Sequence, residues 1–228
     1  MQANENKNLV IEVDGVKYER YPIKTHVITD ADDIRDVAEK YGKPEMQEGD
    51  ILFISEKCVA CTQKRAVPMD EIKPRPLAKL LCKFVYKSPY GIGLSIPQTM
   101  EMALRECGTI KILFAAFCSA CGKLVGKRGI FYDIAGPKAR SIDGPCDCTI
   151  PPYNHYVVLG PENPDAVAES IKERIGFDAL VVDINDIDGV ILGISDAGID
   201  RALYAKVLKD NPLGQSRQQT PMGIIRKI

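Results

Sequence analysis

Acidic side chains cluster in residues 177–195, which read FDALVVDINDIDGVILGIS. Carboxylates crowded in this way repel one another unless a cation, a basic side chain or backbone N–H groups neutralise them. A hard divalent cation, Mg²⁺ or Mn²⁺, prefers oxygen ligands and leaves positions open for phosphate. The spacing predicts a metal site, with a plain hairpin turn at Asp188-Gly189 as the alternative. The side chains concerned are Asp183, Asn185, Asp186 and Asp188.

Two apolar runs must position these acids. Residues 179–182 and 190–192 are aliphatic and β-branched, as expected of buried strands. The acids therefore fall at a strand end and in the turn that joins an antiparallel pair.

Basic residues follow the earlier predicted strands. Lys24, Lys57, Lys64 and Arg65 lie where side chains can converge on one edge of a sheet. Convergent cations would bind phosphate. The alternative is an ordinary solvated surface.

Glycine-rich segments resemble nucleotide and nucleophile motifs but do not complete them. Residues 122–128 have one position too few for a phosphate-binding loop and end in arginine. Residues 91–93 lack the third glycine of a dinucleotide fingerprint, and GISDAG at 193–198 is one residue too long for a nucleophile elbow. These glycines are interpreted as loop glycines.

Six of the eight cysteines lie in pairs: two CxxC pairs, Cys58/Cys61 and Cys118/Cys121, and the closer pair Cys146/Cys148. In a cytosolic chain, thiols or metal ligands are expected in place of a disulfide framework. Two CxxC pairs can form a closed zinc site, whereas buried free cysteines act as small hydrophobes. The two histidines exclude a three-histidine catalytic zinc.

Bulk composition limits the function classes. The 228 residues suffice for one large domain or two small ones, and 30 basic against 31 acidic residues leave little net charge to recruit nucleic acid or an anionic membrane. The start, MQANENKN, does not read as a signal peptide, and apolar runs stay shorter than a membrane span. We expect a soluble, cytoplasmic protein with small-molecule partners.

The order of elements predicts the fold class. Hairpin signals stand at Asp14-Gly15 and at the acidic cluster, and strands are predicted at 24–29, 51–55, 129–136 and 156–159. Helices are predicted at about 31–41, after Pro76, from Pro97 to Gly108, over 164–174 and over 199–209, with a buried helix at 109–121 and an extended tail. Without regular βαβ alternation, this is an α+β fold with a mixed sheet and antiparallel hairpins.

Several segments in fixed order resemble the γ-glutamyl ligase family of the deazaflavin coenzyme F-420. They are YPIKTHVI, EGDILFISEKCVACTQKRAV, FYDIAGPKARSIDG, PENPDAVAESIKERIGFDALVVDINDIDGVILG and NPLG. The resemblance implies a γ-glutamyl-ligase-like fold over residues 1–228 as a single unit, with two interleaved lobes as the alternative. It also implies an intertwined homodimer.

That family uses GTP and a divalent metal to join glutamate to a carboxylate of the coenzyme precursor. For this chain the resemblance implies a ligase that needs Mg²⁺ or Mn²⁺ and GTP or ATP, and that works through an acyl phosphate. The implied nucleotide-binding residues are Ile23, Lys24, Thr25, Glu56, Lys57 and Arg65, and the implied metal ligands are Asp183, Asp186, Asp188 and Asp143.

Two positions depart from the family pattern. Cys61 stands where a second lysine is expected, and Pro137-Lys138 follows Ala135-Gly136 where a metal-binding aspartate is expected, with Asp143 as a substitute. Two alternatives to the ligase follow: a relative that binds a small anionic ligand without turnover, and a CxxC thiol-metal protein.

Overall fold

The computed structural model describes residues 2–85, 92–127, 129–186 and 189–228. The chain divides into two compact units. Unit 1 comprises Met1–Lys64 and Pro161–Ile228, and unit 2 is the intervening segment Arg65–Gly160.

Strands and helices of the described residues are named here in chain order. The strands are β1 Val10–Val13, β2 Val16–Ile23, β3 Ile51–Ser55, β4 Ala66–Pro68, β5 Tyr156–Val158, β6 Asp178–Ile184, β7 Gly189–Ile194 and β8 Met222–Lys227. The helices are α1 Ile34–Val37, α2 Glu56–Thr62, α3 Pro76–Leu81, α4 Pro97–Glu106, α5 Thr109–Leu124, α6 Ile130–Ala135, α7 Pro137–Arg140, α8 Pro164–Ile175 and α9 Arg201–Val207. A π-helical segment, Ala38–Gly42, continues α1.

A six-stranded mixed sheet forms unit 1, in the order β1-β2-β8-β3-β6-β7. Strands β3 and β6 pair in parallel, whereas the other neighbours are antiparallel. The structure confirms the prediction of an α+β fold with a mixed sheet, and antiparallel hairpins lie at both ends of that sheet.

Strand β3 is buried on both faces, so its alternating residues feed two separate cores. Leu52 and Ile54 belong to the core under α8 and α1, and Ile51 and Phe53 belong to the core under α9. A near-continuous apolar strand is what such a central position requires.

Local signals fix the ends of the elements as expected. Asp14 and Gly15 turn the first hairpin with positive φ angles of 51° and 80°. Gly176 ends α8 in the left-handed conformation, and its N–H donates to the Lys172 carbonyl. Asp33 caps α1 by accepting from the Arg35 backbone N–H.

Unit 2 packs α3 to α7 and the short β4–β5 pair around its own core. Glu101 of α4 is almost fully buried there, and it accepts hydrogen bonds from the Arg75 backbone and from the guanidinium groups of Arg75 and Arg105. Burial alone would raise the pKa of the Glu101 carboxyl, but these hydrogen bonds outweigh it and hold the pKa below its usual value.

We expect Glu101→Gln to destabilise the protein by about 1–3 kcal/mol at pH 7, because two guanidinium groups lose their charged acceptor. Since the folded-state pKa is depressed, the carboxylate stabilises the fold above its unfolded-state pKa and this contribution is lost as the pH falls through the folded value. The difference between wild type and variant should therefore shrink in acid, which denaturant titrations at several pH values would measure. Glu71→Gln, at an exposed acid of the same unit, should show no such trend.

Several sequence-based expectations are wrong. The segment predicted as a strand at residues 129–136 contains helix α6, Ile130–Ala135. Gly129, in the left-handed conformation, precedes this short helix, and Gly136, with a positive φ, ends it. Residues 24–29 are not a strand. The tail is extended as expected, and Met222–Lys227 forms β8, a central strand of the sheet. Helix α5 exists, but it is not buried all round, since Phe117 is 67% exposed.

Cysteine pairing also differs from the expectation of thiols throughout. Cys146 and Cys148 form a disulfide on the surface of unit 2, and the other six cysteines are free.

In the described residues, no single helix combines the length and apolar character of a membrane span. Only α4 and α5 taken together reach that length, across a 117° bend.

Candidate functional site

One edge of the unit 1 sheet gathers most of the predicted site. Ile23, Met222, Ile54 and Val181 are successive partners in one row across β2, β8, β3 and β6. Because β2, β3 and β6 run in the same direction, their carboxyl ends all emerge at this edge. We call it the site edge.

Three candidate side chains stand at the site edge. Lys24 and Lys57 are exposed just beyond the ends of β2 and β3, and Asp183 is half-buried near the end of β6. Strands β3 and β6 are neighbours, about 4.8 Å apart, and β2 lies three strand spacings, about 14 Å, from β6. Basic residues of the early strands and an acid of the late hairpin are thus brought to the same edge.

Asp186 is held by residues that the sequence did not single out. Its carboxylate accepts a hydrogen bond from Lys7 Nζ at 2.6 Å and one from Asn211 Nδ2 at 3.4 Å. Its backbone N–H donates to Gln215 Oε1 at 2.9 Å. Lys7 therefore supplies the cation beside Asp186, and a metal at Asp186 would have to displace that ammonium group. Asp188 lies outside the described residues.

The loop of residues 208–221, between α9 and β8, lines the site edge. Gln219, with φ 60°, accepts from the Thr25 N–H at 3.2 Å and donates from Nε2 to the Thr25 carbonyl at 2.7 Å. Asn211 is 1% exposed, and its Oδ1 is buried with no hydrogen-bond partner among the described residues. The loop thus fixes the residue after Lys24 and brings an uncommitted amide oxygen beside Asp186.

The other nucleotide-binding candidates of unit 1 differ in exposure. Ile23 belongs to the core, and Thr25 and Glu56 are buried, with Thr25 Oγ1 donating to the His26 carbonyl at 2.7 Å.

A pocket of about 340 Å³ opens beside the end of β2. Its volume lies within the range of small-ligand sites. Two lysines, one acid and one aromatic residue contribute to its lining. The lining residues are Pro22, Ile23, Lys24, Lys40, Tyr41, Pro44 and Glu45.

Arg65 and Asp143 lie in unit 2. The Arg65 guanidinium donates to Glu106 Oε1 at 2.6 Å and to the Gly160 carbonyl at 2.5 Å, and Lys138 reaches the same Glu106 oxygen at 3.1 Å. Partial burial would raise the pKa of Glu106, but the hydrogen bonds from Arg65 and Lys138 hold it below its usual value. Asp143 exchanges backbone hydrogen bonds with Val158, at 2.8 and 3.0 Å.

Within the described part of the chain, no group of three or more His, Cys, Asp or Glu side chains lies close enough to hold a metal ion. Magnesium is commonly held by one or two carboxylates together with substrate phosphates. Of the candidate oxygen donors, Asp186 and Asn211 are neighbours, joined by the hydrogen bond from Asn211 Nδ2.

The CxxC pairs belong to different units, Cys58/Cys61 to α2 of unit 1 and Cys118/Cys121 to α5 of unit 2. Burial, and then the neighbouring Cys61, raise the pKa of the Cys58 thiol. A thiol with a raised pKa is a poor nucleophile and metal ligand.

Comparison with known proteins agrees with the resemblance found in the sequence. A family model described as F420-0:Gamma-glutamyl ligase matches residues 22–203. The chain belongs to the F420-0:gamma-glutamyl ligase family. Within it, the coenzyme F420:L-glutamate ligase of Methanopyrus kandleri is 27% identical over 217 aligned residues, which cover 81% of this chain and 77% of that protein.

The family match includes most site-edge candidates but ends before the loop of residues 208–221. Lys7, Asn211, Gln215 and Gln219 lie outside the matched range. Sequence reasoning missed them, although the polar run GQSRQQT after NPLG was an available signal. In this member of the γ-glutamyl ligase family, Lys7, Asn211 and Gln215 contact Asp186. Gln219 contacts Thr25.

Proposed function

We propose that the protein is a metal- and nucleotide-dependent ligase that forms an amide of the γ-glutamyl type between glutamate and a carboxylate acceptor. The observation that supports this most directly is the common edge at which Lys24, Lys57 and Asp183 emerge. Family membership supplies the reaction class. The acceptor we propose first is the F420-0 named by the family.

The proposed reaction has two steps. An acceptor carboxylate oxygen attacks the terminal phosphorus of GTP or ATP, the bond to the bridging oxygen breaks, and the nucleoside diphosphate leaves. The glutamate nitrogen then attacks the carbonyl carbon of the acyl phosphate and loses a proton, and inorganic phosphate leaves as the amide forms.

Phosphoryl transfer needs mainly positioning and charge stabilisation from a protein. Lys57 and Lys24 would bind the phosphate oxygens, and Gln219 would hold the backbone at Thr25 in place for the nucleotide. Asp183, Asp186 and Asp188 would hold Mg²⁺ or Mn²⁺, with Asn211 Oδ1 as a further oxygen donor. When bound, the metal supplies positive charge that neutralises the polyphosphate.

Thermal unfolding with ligands tests this proposal. Millimolar GTP or ATP should raise the melting temperature in the presence of Mg²⁺ or Mn²⁺, by an amount that grows with the logarithm of nucleotide concentration. With F420-0 and glutamate added, nucleoside diphosphate should be released in a glutamate-dependent manner. Unchanged melting under all nucleotide and metal combinations contradicts the proposal.

A second candidate, binding of a small anionic ligand without turnover, is favoured by Cys61. Its side chain is only 6% exposed, so the position at which the resemblance expects a second phosphate lysine carries a packed, uncharged group. Under this alternative, nucleotide or another anion would raise the melting temperature while no amide product forms. Detection of a glutamate-containing product excludes it.

A further inference from the structure

The N-terminal segment, residues 4–8, is fixed to the loop of residues 208–221 in unit 1. Asn4 Nδ2 donates to two backbone carbonyl oxygens of that loop, at 3.0 and 2.9 Å, and to Thr220 Oγ1 at 2.9 Å. The backbone then turns back, and the Lys7 N–H donates to the Asn4 carbonyl at 3.0 Å. These contacts set the position from which the Lys7 side chain extends.

Arg20 fixes the other end of the segment. Its side chain is fully buried, and its guanidinium donates to the Asn8 carbonyl at 2.6 Å and to both carboxylate oxygens of Asp210. Asp210 therefore pairs its carboxylate with Arg20, and its carbonyl oxygen accepts from Lys7 Nζ at 2.9 Å. The backbone on both sides of Lys7 is thus held in place.

The Lys7 ammonium group forms an ion pair with Asp186. Lys7 Nζ donates to Asp186 Oδ1 at 2.6 Å, with the lysine side chain 15% exposed and the aspartate side chain 53% exposed. An ion pair with one partner open to solvent contributes little net stability. The pair is therefore preformed by the fold, but another cation in solution can reach its carboxylate and replace the ammonium group.

A buried oxygen beside this pair suits a cation other than lysine. Asn211 is 1% exposed, and its Nδ2 donates to Asp186 Oδ1 at 3.4 Å. Its Oδ1 has no hydrogen-bond partner among the described residues, so the Lys7 ammonium group does not satisfy it. A buried acceptor without a donor costs free energy. An oxygen-seeking divalent ion at Asp186 could use this acceptor.

We propose that Lys7 is a tethered competitor of the divalent metal ion for Asp186. The ammonium group pairs with Asp186 in the metal-free protein and leaves it, still protonated, when the ion binds. The apparent metal affinity is then lowered by the fraction of molecules in which the ion pair is formed. The inference rests on the proposed function, because it concerns the metal site of that ligase. Lys7 lies outside residues 22–203, which match the family model.

Chemical labelling of lysines tests the exchange directly. An N-hydroxysuccinimide ester of acetate modifies accessible amines, and mass spectrometry gives the rate at each lysine. Millimolar Mg²⁺ should increase the rate at Lys7 about tenfold, because the ion pair no longer protects it. Lys206, an exposed lysine paired with Asp14 at 3.0 Å, is the control and should keep its rate.

Metal titrations of variants measure the competition. Without nucleotide, Lys7→Met should bind Mn²⁺ about tenfold more tightly than the wild type, as followed by the electron paramagnetic resonance signal of free Mn²⁺. Lys7→Arg keeps a cation at the position and should not show this gain. Lys206→Met should bind as the wild type does. Asp186→Asn in the Lys7→Met background should remove the gain.

The outcomes separate this inference from the ligase function. A Lys7→Met protein that melts like the wild type and binds Mn²⁺ no more tightly overturns the inference, even where the wild type forms product. An unchanged labelling rate of Lys7 in a protein that Mg²⁺ and GTP stabilise against heat does the same. Tighter Mn²⁺ binding without product in either protein supports the inference and contradicts the ligase. Absence of Mn²⁺ binding in every variant contradicts both.

A second variant keeps the test independent of the charge change. Asn4→Ala removes the contacts that hold the N-terminal segment on the loop and leaves every charge in place. It should weaken the hold on Lys7 and therefore also tighten Mn²⁺ binding, by a smaller factor than Lys7→Met. Weaker Mn²⁺ binding in a folded Asn4→Ala protein would show that the segment assists the metal, which is the opposite of competition.

Discussion

Lys57→Met is expected to lower kcat/KM for the proposed ligation at least about 100-fold, the loss typical of removing one charge-stabilising donor from a transition state. Lys57 is exposed beyond the end of β3, beside the strand that carries Asp183. Its ammonium group would contact the transferring phosphoryl group, whose negative charge no methionine can balance. Nucleoside diphosphate release with glutamate and F420-0 measures the effect.

Lys64→Met is the matched control for this change. Lys64 is an exposed lysine at the other end of the same short segment, two residues after α2. Its removal should leave activity within about twofold, and both variants should melt within a degree or two of the wild type without ligand. Equal activity of the two variants, or a Lys57→Met protein that keeps the full nucleotide-dependent stabilisation, would remove Lys57 from the site.

Local signals in the sequence were sufficient for much of the sheet. The turn at Asp14-Gly15, the apolar run of β3 and the Asn163-Pro164 start of α8 depend on neighbours along the chain, and each was placed correctly. Strands β2, β3 and β6 run in one direction, so their ends, at or near which Lys24, Lys57 and Asp183 stand, lie at one edge; that these side chains form one site stays a prediction.

Pairing between distant segments was not available from the sequence. β8 lies between β2 and β3, strands about 200 and 170 positions earlier in the chain, and its short apolar run carries no local mark of a central position. The same holds for the loop of residues 208–221, whose contacts with Asp186 and Thr25 depend on where β8 is inserted.

Apolar composition was misleading at helix α5. Helix α5 is apolar on two sides, so periodicity indicated burial all round. The structure buries one side against unit 2 and leaves Phe117 exposed. The strand predicted at residues 129–136 was wrong for a different reason. β-branched and aromatic residues favour strands, but here flanking glycines confine them to a short helix.

Gly193→Ala is expected to destabilise the protein by about 3 kcal/mol or more, since it overpacks a rigid contact. An added Cβ would lie 2.1 Å from the Pro164 carbonyl oxygen and 2.9 Å from the Asp165 N, both backbone atoms of the first turn of α8. Either β7 or α8 must then shift. For a chain of this size the melting temperature should fall by roughly 6–12 °C.

Gly198→Ala separates this close approach from the general effect of replacing glycine. Gly198 is exposed, and its added Cβ would meet only the end of a side chain, Asp196 Oδ1 at 3.2 Å. That variant should melt within about 2–3 °C of the wild type. Both glycines belong to the GISDAG segment, so a shared loop role predicts equal effects for the two variants, whereas packing of α8 on β7 predicts a large effect for Gly193 alone. Because β7 pairs with β6 at Asp183, a displaced β7 should also reduce metal-dependent nucleotide stabilisation in Gly193→Ala.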